Sequence, residues 1–137
     1  MLPKKKINIK ELIIKKKNIP VLKPTNLLKE ALEEMSKFKF GVCFCVKENN
    51  ELAGILTDGD IRRKILNVQK PFSALLNDDL DLHINKKSIK VKINSSLPVA
   101  LNLMKKKLIW DLPVVDQNNK LIGMLHLHPV VKYLFKN

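Results

Sequence analysis

Residues 54–65 read GILTDGDIRRKI. An apolar, strand-like run from Gly54 to Leu56 gives way to Thr57, Asp58, Gly59 and Asp60. Ile61 and Ile65 then follow at the spacing of one helix face. The stretch also holds the chain's only two arginines, Arg62 and Arg63, in a protein that otherwise draws its positive charge from lysine. Two readings compete. In one, this is a capped helix start, with Asp58 as N-cap, Gly59 as a turn residue and both arginines on the solvent side. In the other, it is a site that grips a phosphorylated sugar.

Working outward, the stretch recurs. An offset of 69 residues, the spacing from Gly54 to Gly123, superposes Leu28 on Leu97, Ala31 on Ala100, Leu32 on Leu101 and Met35 on Met104. The same offset places Val46 on Val115, Asn49-Asn50 on Asn118-Asn119, Leu52 on Leu121 and Leu56 on Leu125, with no gap. Repeats of this kind define architecture before any local detail does. Each copy predicts a short strand (19–22; 89–93), then a helix capped by Thr25 or Asn26 in the first copy and by Ser95 or Ser96 in the second. A strand follows (42–46; 112–115), then a polar turn (47–51; 116–120) and a strand (52–57; 121–126). A closing helix (60–66; 129–135) ends each copy, with Pro129 at the first helical position of the second. The expected fold class is α+β: two β-α-β-β-α repeats, each too small to be comfortable alone, packed about a pseudo-twofold axis. The expected organisation is an N-terminal helical segment at 1–17, a first domain at 18–68, a linker at 69–86 and a second domain at 87–137. Phe38, Phe40, Phe44 and Trp110 are expected in the core or the seam.

Composition narrows the function classes. A net charge of +13 and a pI near 9.8 invite a nucleic-acid partner. The excess is nearly all lysine, however, and aromatics at 5% are too few for a base-stacking platform, so nucleic acid is not expected. No apolar run approaches the length of a membrane span, and the N-terminus lacks a signal-peptide core; a cytoplasmic protein is expected. Cys43 and Cys45 lie two apart on one strand face, which disfavours a mutual disulfide and predicts buried thiols. No nucleophile-base pair, metal motif or phosphate-binding loop stands out, so no catalytic residue, metal or cofactor is expected. His126 and His128 would point the same way along a strand.

The tandem β-α-β-β-α repeat ending in G-h-h-T-D-x-D resembles a pair of CBS domains, the Bateman module. GILTDGDIRRKI is similar to the first CBS domain of bacterial D-arabinose 5-phosphate isomerases, and DLPVVDQNNKLIGMLHLHPVV to their second. The resemblance implies a regulatory region that partners a sugar-isomerase catalytic domain in the Kdo branch of lipopolysaccharide synthesis. No such domain precedes the repeats, so a cut-out piece and a free-standing regulator are both expected readings. A similar LTDGDIRR segment accompanies sugar-nucleotide transferases, an alternative parent. The resemblance further implies a homodimer and a regulatory adenine or cytidine nucleotide, or a nucleotide-sugar.

On that resemblance, Asp60 accepts hydrogen bonds from ribose hydroxyls and Thr57 donates to a phosphate. Gly59 lets the backbone approach, and the helix N-terminus near Asp58 and Asp60 faces the anion. Backbone at Ile19, Pro20 and Val21 and at Phe40, Gly41 and Val42 edges the base, and Arg62 and Arg63 complete the candidate set. The second copy, with His126 for Thr57 and Pro129 for Asp60, is expected not to bind. The competing reading is an oligomerisation module with a vestigial site.

Overall fold

The structure is a computed structural model and describes residues 8–136. Twelve helices and strands follow in order: β1 (Ile14–Lys15), β2 (Val21–Leu22), α1 (Leu28–Phe38), β3 (Val42–Val46), β4 (Leu52–Thr57), α2 (Asp58–Asn67), α3 (Phe72–Leu76), β5 (Val91–Lys92), α4 (Leu97–Lys107), β6 (Asp111–Val115), β7 (Leu121–His126) and α5 (Leu127–Leu134). Short 3-10 turns occupy Ile9–Glu11, Lys16–Asn18 and Leu80–Leu82. None of the described helices is long and apolar enough to cross a membrane.

The chain divides into two compact units, one of residues 18–88 and one of residues 8–17 with 89–136. In the 18–88 unit a three-stranded sheet runs β2-β3-β4, with β2 parallel to β3 and β3 antiparallel to β4. Every residue of β3 is buried, whereas β4 alternates buried and half-buried residues, so β3 is the central strand and only one face of β4 is covered. Leu28, Ala31 and Met35, spaced three and four apart, bring α1 down onto Cys43, Cys45 and Leu56. The other unit repeats this plan with four strands, β1-β7-β6-β5, and a core of Leu97, Ala100, Met104, Leu112, Val114 and Leu125.

Local geometry repeats with the sequence. Lys39 and Leu108, 69 apart, end α1 and α4 in left-handed conformation at φ of 61° and 54°. Asn50 and Asn119 are left-handed too, at 72° and 64°, a region asparagine tolerates better than most residues. Each sits in the polar turn, donating its N–H to Lys47 O or Asp116 O.

Five expectations are corrected. Residues 1–17 were expected to be helical; residues 1–7 lie outside the described residues, and the rest form a 3-10 turn followed by β1. That strand pairs Ile14 with Met124 and Lys15 with Gly123, because β7 otherwise leaves an edge unpaired. The 69–86 segment is not a bare linker: α3 and the Leu80–Leu82 turn bury Leu75 and Leu80 in the 18–88 core, and Asn85 exchanges both backbone hydrogen bonds with Ile55. The segment leading each sequence repeat thus completes the sheet of the other repeat. The N-cap of α1 is Leu27, not Thr25 or Asn26: Glu30 reaches back to accept from Leu27 N–H at 2.8 Å, while Asn26 Oδ1 is turned to Lys23 N–H. Trp110 is 67% exposed rather than core, although Phe44 is fully buried. Pro129 falls third in α5, since the helix starts at Leu127; it remains in the first turn, where a missing N–H is tolerated. Ser96 stands at the N-cap position of α4 but makes no side-chain capping hydrogen bond, and Pro98 lies in the first turn.

Candidate functional site

The end of β4 and the start of α2 hold the candidate residues in a tight reciprocal cap. Thr57, last in β4, is the N-cap of α2, in place of the expected Asp58. Its Oγ1 accepts from Asp60 N–H at 3.2 Å, and Asp60 Oδ2 accepts from Thr57 N–H at 2.9 Å. This is a capping box with aspartate in the third position, where glutamate or glutamine is usual. Arg63, one turn along, donates from Nη2 to Asp60 Oδ1 at 2.8 Å. Burial pushes the Asp60 pKa up, but the Thr57 N–H, the Arg63 guanidinium and the Thr57 hydroxyl outweigh it and hold the carboxyl below its ordinary value. Asp60 is therefore an ionised acceptor at neutral pH, with lone pairs left on both oxygens. Thr57 uses an oxygen lone pair in the cap, so its hydroxyl hydrogen remains to be donated.

Asp58 is exposed, and its N–H donates to Gly41 O at 2.9 Å. A Cβ on Gly41 would stand 2.7 Å from Asp58 Oδ2, the end of an exposed side chain that can turn aside. Phe40, Gly41 and Asp58 line a cavity of about 460 Å³ with Leu32, Met35, Ser36 and Lys39. A Cβ on Gly59 would lie 3.2 Å from Arg63 Nη1, the end of a flexible, exposed side chain. Two of the first three N–H groups of α2, those of Asp58 and Asp60, are already bonded within the chain; the open helix terminus expected for an anion is mostly closed. Arg62 is exposed and makes no ion pair among the described residues.

The other candidates lie deeper in the sheet. Val42 pairs with Thr57 across the β3-β4 ladder, which ties the two candidate strands together. Ile19 and Pro20 are buried, Pro20 O accepting from Phe44 N–H at 3.0 Å, and Val21 pairs with Phe44. None of these three lines either cavity beside α2.

A second, smaller cavity of about 200 Å³ lies along α2, lined by Asp60, Arg63, Lys64, His83, Ile84 and Asn85. His83 is 8% exposed; its Nε2 donates to Asp78 Oδ2 at 2.8 Å, and its Nδ1 is buried with no partner. Lys70 Nζ donates to the same carboxylate at 2.7 Å, and together the Lys70 and His83 bonds hold Asp78 below its ordinary pKa. Sequence reasoning missed Lys64, His83 and Asn85. The latter two belong to the stretch taken for a linker, and no local motif announces that it folds back against Asp60.

In the other unit the equivalent place is built differently. His126, at the Thr57 position, caps α5 by backbone alone, and its Nδ1 is hydrogen-bonded to Asp111 Oδ1, at the Val42 position. His128 lies in α5, so the two histidines do not share a strand face. Among the described residues no cluster of three or more histidine, cysteine or acidic groups is arranged to hold a metal ion.

The family model for the CBS domain matches this chain twice, over residues 9–67 and 79–136. The chain belongs to the CBS domain family. Its matched repeats start before β1 and before Leu80, so each CBS repeat includes the leading segment that packs in the opposite compact unit. Among its relatives, a Helicobacter pylori J99 protein is 35% identical over 126 residues, covering 92% of this chain and 37% of that protein. The arabinose 5-phosphate isomerase KdsD of Francisella tularensis is 35% identical over 130 residues, again with 92% and 37% coverage. The chain thus spans little more than a third of the curated relatives it matches. A crystal structure of CBSX2 in complex with AMP superposes with a TM-score of 0.81 at 25% identity, over 93% of this chain and 96% of that one.

Proposed function

We propose that this CBS pair is a regulatory module that binds a nucleotide or nucleotide-sugar in its first repeat and reports occupancy to a sugar-isomerase catalytic domain. The observation that carries the reading is Asp60: an ionised carboxylate, fixed in orientation by Thr57 and Arg63, set just past the end of a strand where it lines a cavity. A carboxylate so held is a ready acceptor for adjacent hydroxyls. The AMP bound by CBSX2 and the isomerase among the relatives support this choice of ligand and partner. In this role the chain shifts a partner's states only by binding ligand differently in each. The test is thermal melting with AMP, ATP, CMP and CMP-Kdo. A ligand at 100 times its dissociation constant stabilises the fold by about 2.7 kcal/mol; no shift with any of them defeats the reading.

A second reading, a homodimerising scaffold, is favoured by apolar side chains left open on α2 and α5. Ile65 and Leu66 are 48% and 75% exposed, and Val131 is 40% exposed. Sedimentation at micromolar concentration as a 15.7 kDa monomer counts against it.

A further inference from the structure

We propose that the turn closing α4, residues 105–110, docks on the surface of an anionic phospholipid bilayer. The first observation is how charge divides. Residues 8–17 and 89–136 carry twelve lysines against three acidic residues, whereas residues 18–88 carry eleven lysines and arginines against ten acidic residues. The positive excess belongs to one compact unit, and charge divided so unequally points to a polyanionic partner. Lys105, Lys106 and Lys107 form the last turn of α4, all three exposed and without an ion pair among the described residues. A helix C-terminus favours cations, but the dipole does not account for the residues that follow them.

Leu108 is 84% exposed and Trp110 67% exposed. A lone exposed apolar residue is ordinary; two within three positions, beside three lysines, form a patch. The fold does not require them. Leu108 ends α4 in left-handed conformation, where glycine or asparagine is usual, so it gains neither backbone ease nor burial there. The first repeat makes the same turn with Lys39 and Gly41 at the corresponding positions. The turn is tied down in three places. The N–H groups of Leu108 and Ile109 both donate to Met104 O, Ile109 packs against the core, and Trp110 O accepts from Leu127 N–H at 2.9 Å. Leu108 and Trp110 are thus presented to solvent on either side of an anchored Ile109. An indole is at home at the polar boundary of a bilayer, and a leucine beside it gains by entering the acyl edge. Neighbouring lysines meet anionic headgroups while their aliphatic stems lie along the apolar boundary. A nucleic-acid backbone offers a leucine no apolar seat, so the lipid surface is the better match. Docking of this kind needs no spanning helix.

The test uses the chain's single tryptophan, Trp110, as the reporter. The whole chain is titrated with vesicles of phosphatidylcholine alone and of phosphatidylcholine with phosphatidylglycerol, following tryptophan emission and co-sedimentation. Anionic vesicles should shift the emission to the blue and carry the protein down; neutral vesicles should do neither. At roughly fivefold per lysine, replacing Lys105, Lys106 and Lys107 together by Gln should weaken binding on the order of a hundredfold. Replacing Lys29, Lys37 and Lys87 by Gln removes the same charge from other exposed positions and should cost far less. Leu108→Asp should weaken binding and reduce the blue shift. Equal losses in the two triple variants, or binding without a blue shift, would reduce the interaction to general charge and overturn the proposal. An emission shift with duplex DNA but not with anionic vesicles would assign the patch to nucleic acid, and a shift with protein concentration alone would assign it to a second copy; either overturns the proposal. None of these outcomes involves Asp60, so the nucleotide reading stands or falls separately.

Discussion

Gly54 lies directly beneath the backbone carbonyl of Asn85: a Cβ at Gly54 would stand 2.6 Å from that oxygen, closer than a real side chain comes. The counterpart Gly123 lies in the same way beneath Ile14 O. Both glycines are therefore required by close approach, since neither has a positive φ. Each marks where the leading segment of one repeat is laid along the sheet of the other. Gly54→Ala should push residues 84–86 off β4 and destabilise the fold by about 1–3 kcal/mol, the usual range for overpacking. Urea unfolding measures it; an unchanged midpoint would mean the segment is not held as described.

Leu80 lies in the stretch a sequence reader assigns to a linker, yet it is fully buried. Leu80→Ala should cost about 2–5 kcal/mol, as core truncations do. A loss below about 0.5 kcal/mol, the range of surface changes, would return the segment to linker status.

Asp60 links stability to pH. Its folded pKa is held below the ordinary 3.8, so the unfolded chain takes up a proton first. The stabilisation is full above that ordinary value and is lost as pH falls through the lower folded pKa. The difference in urea midpoint between the parent and Asp60→Asn should shrink as pH drops through that acid window. A difference that grows there contradicts the sign. Asp78, held down by Lys70 and His83, adds a loss in the same direction.

Cys43 and Cys45 are fully buried free thiols on β3. Burial, with the neighbouring Cys45, pushes Cys43 up to about 12, and burial followed by Asp81 pushes Cys45 up to about 11. Neither forms a useful thiolate fraction near neutral pH. A thiol reagent at pH 8 should label the folded protein negligibly and both cysteines after unfolding in urea; rapid labelling of the native chain would refute this.

Ligand stoichiometry follows from the asymmetry of the repeats. Where the first has Thr57 and Asp60, the second has His126, tied to Asp111, and Pro129, which offers no side-chain acceptor. Calorimetry should give one ribonucleotide per chain. Asp60→Ala should weaken it at least tenfold, given roughly 1.5–3 kcal/mol for each hydrogen bond to a charged group. A 2′-deoxy ligand should bind Asp60→Ala and the parent nearly alike. Two ligands per chain, or normal binding by Asp60→Ala, would move the site elsewhere.

The sequence by itself determined the repeat and, through it, the fold. Apolar spacing at Leu28, Ala31 and Met35, the run Val42–Val46 and the asparagine turns are local signals, because helix faces, buried strands and left-handed turns depend on neighbours a few residues away. It also singled out Thr57 and Asp60 as ligand contacts, but that they close a four-residue capping box, with Thr57 rather than Asp58 as the cap, came from the structure. What only the tertiary structure decided is long-range. Strand pairing has no sequence address, so the exchange of leading segments, with Ile14 against Met124 and Asn85 against Ile55, was invisible. The same exchange carries His83 and Asn85 to the flank of Asp60. Arg62 and Arg63 look alike in the sequence; the helical turn places Arg63 against Asp60 and leaves Arg62 in solvent, because residues three apart share a face and residues two apart do not.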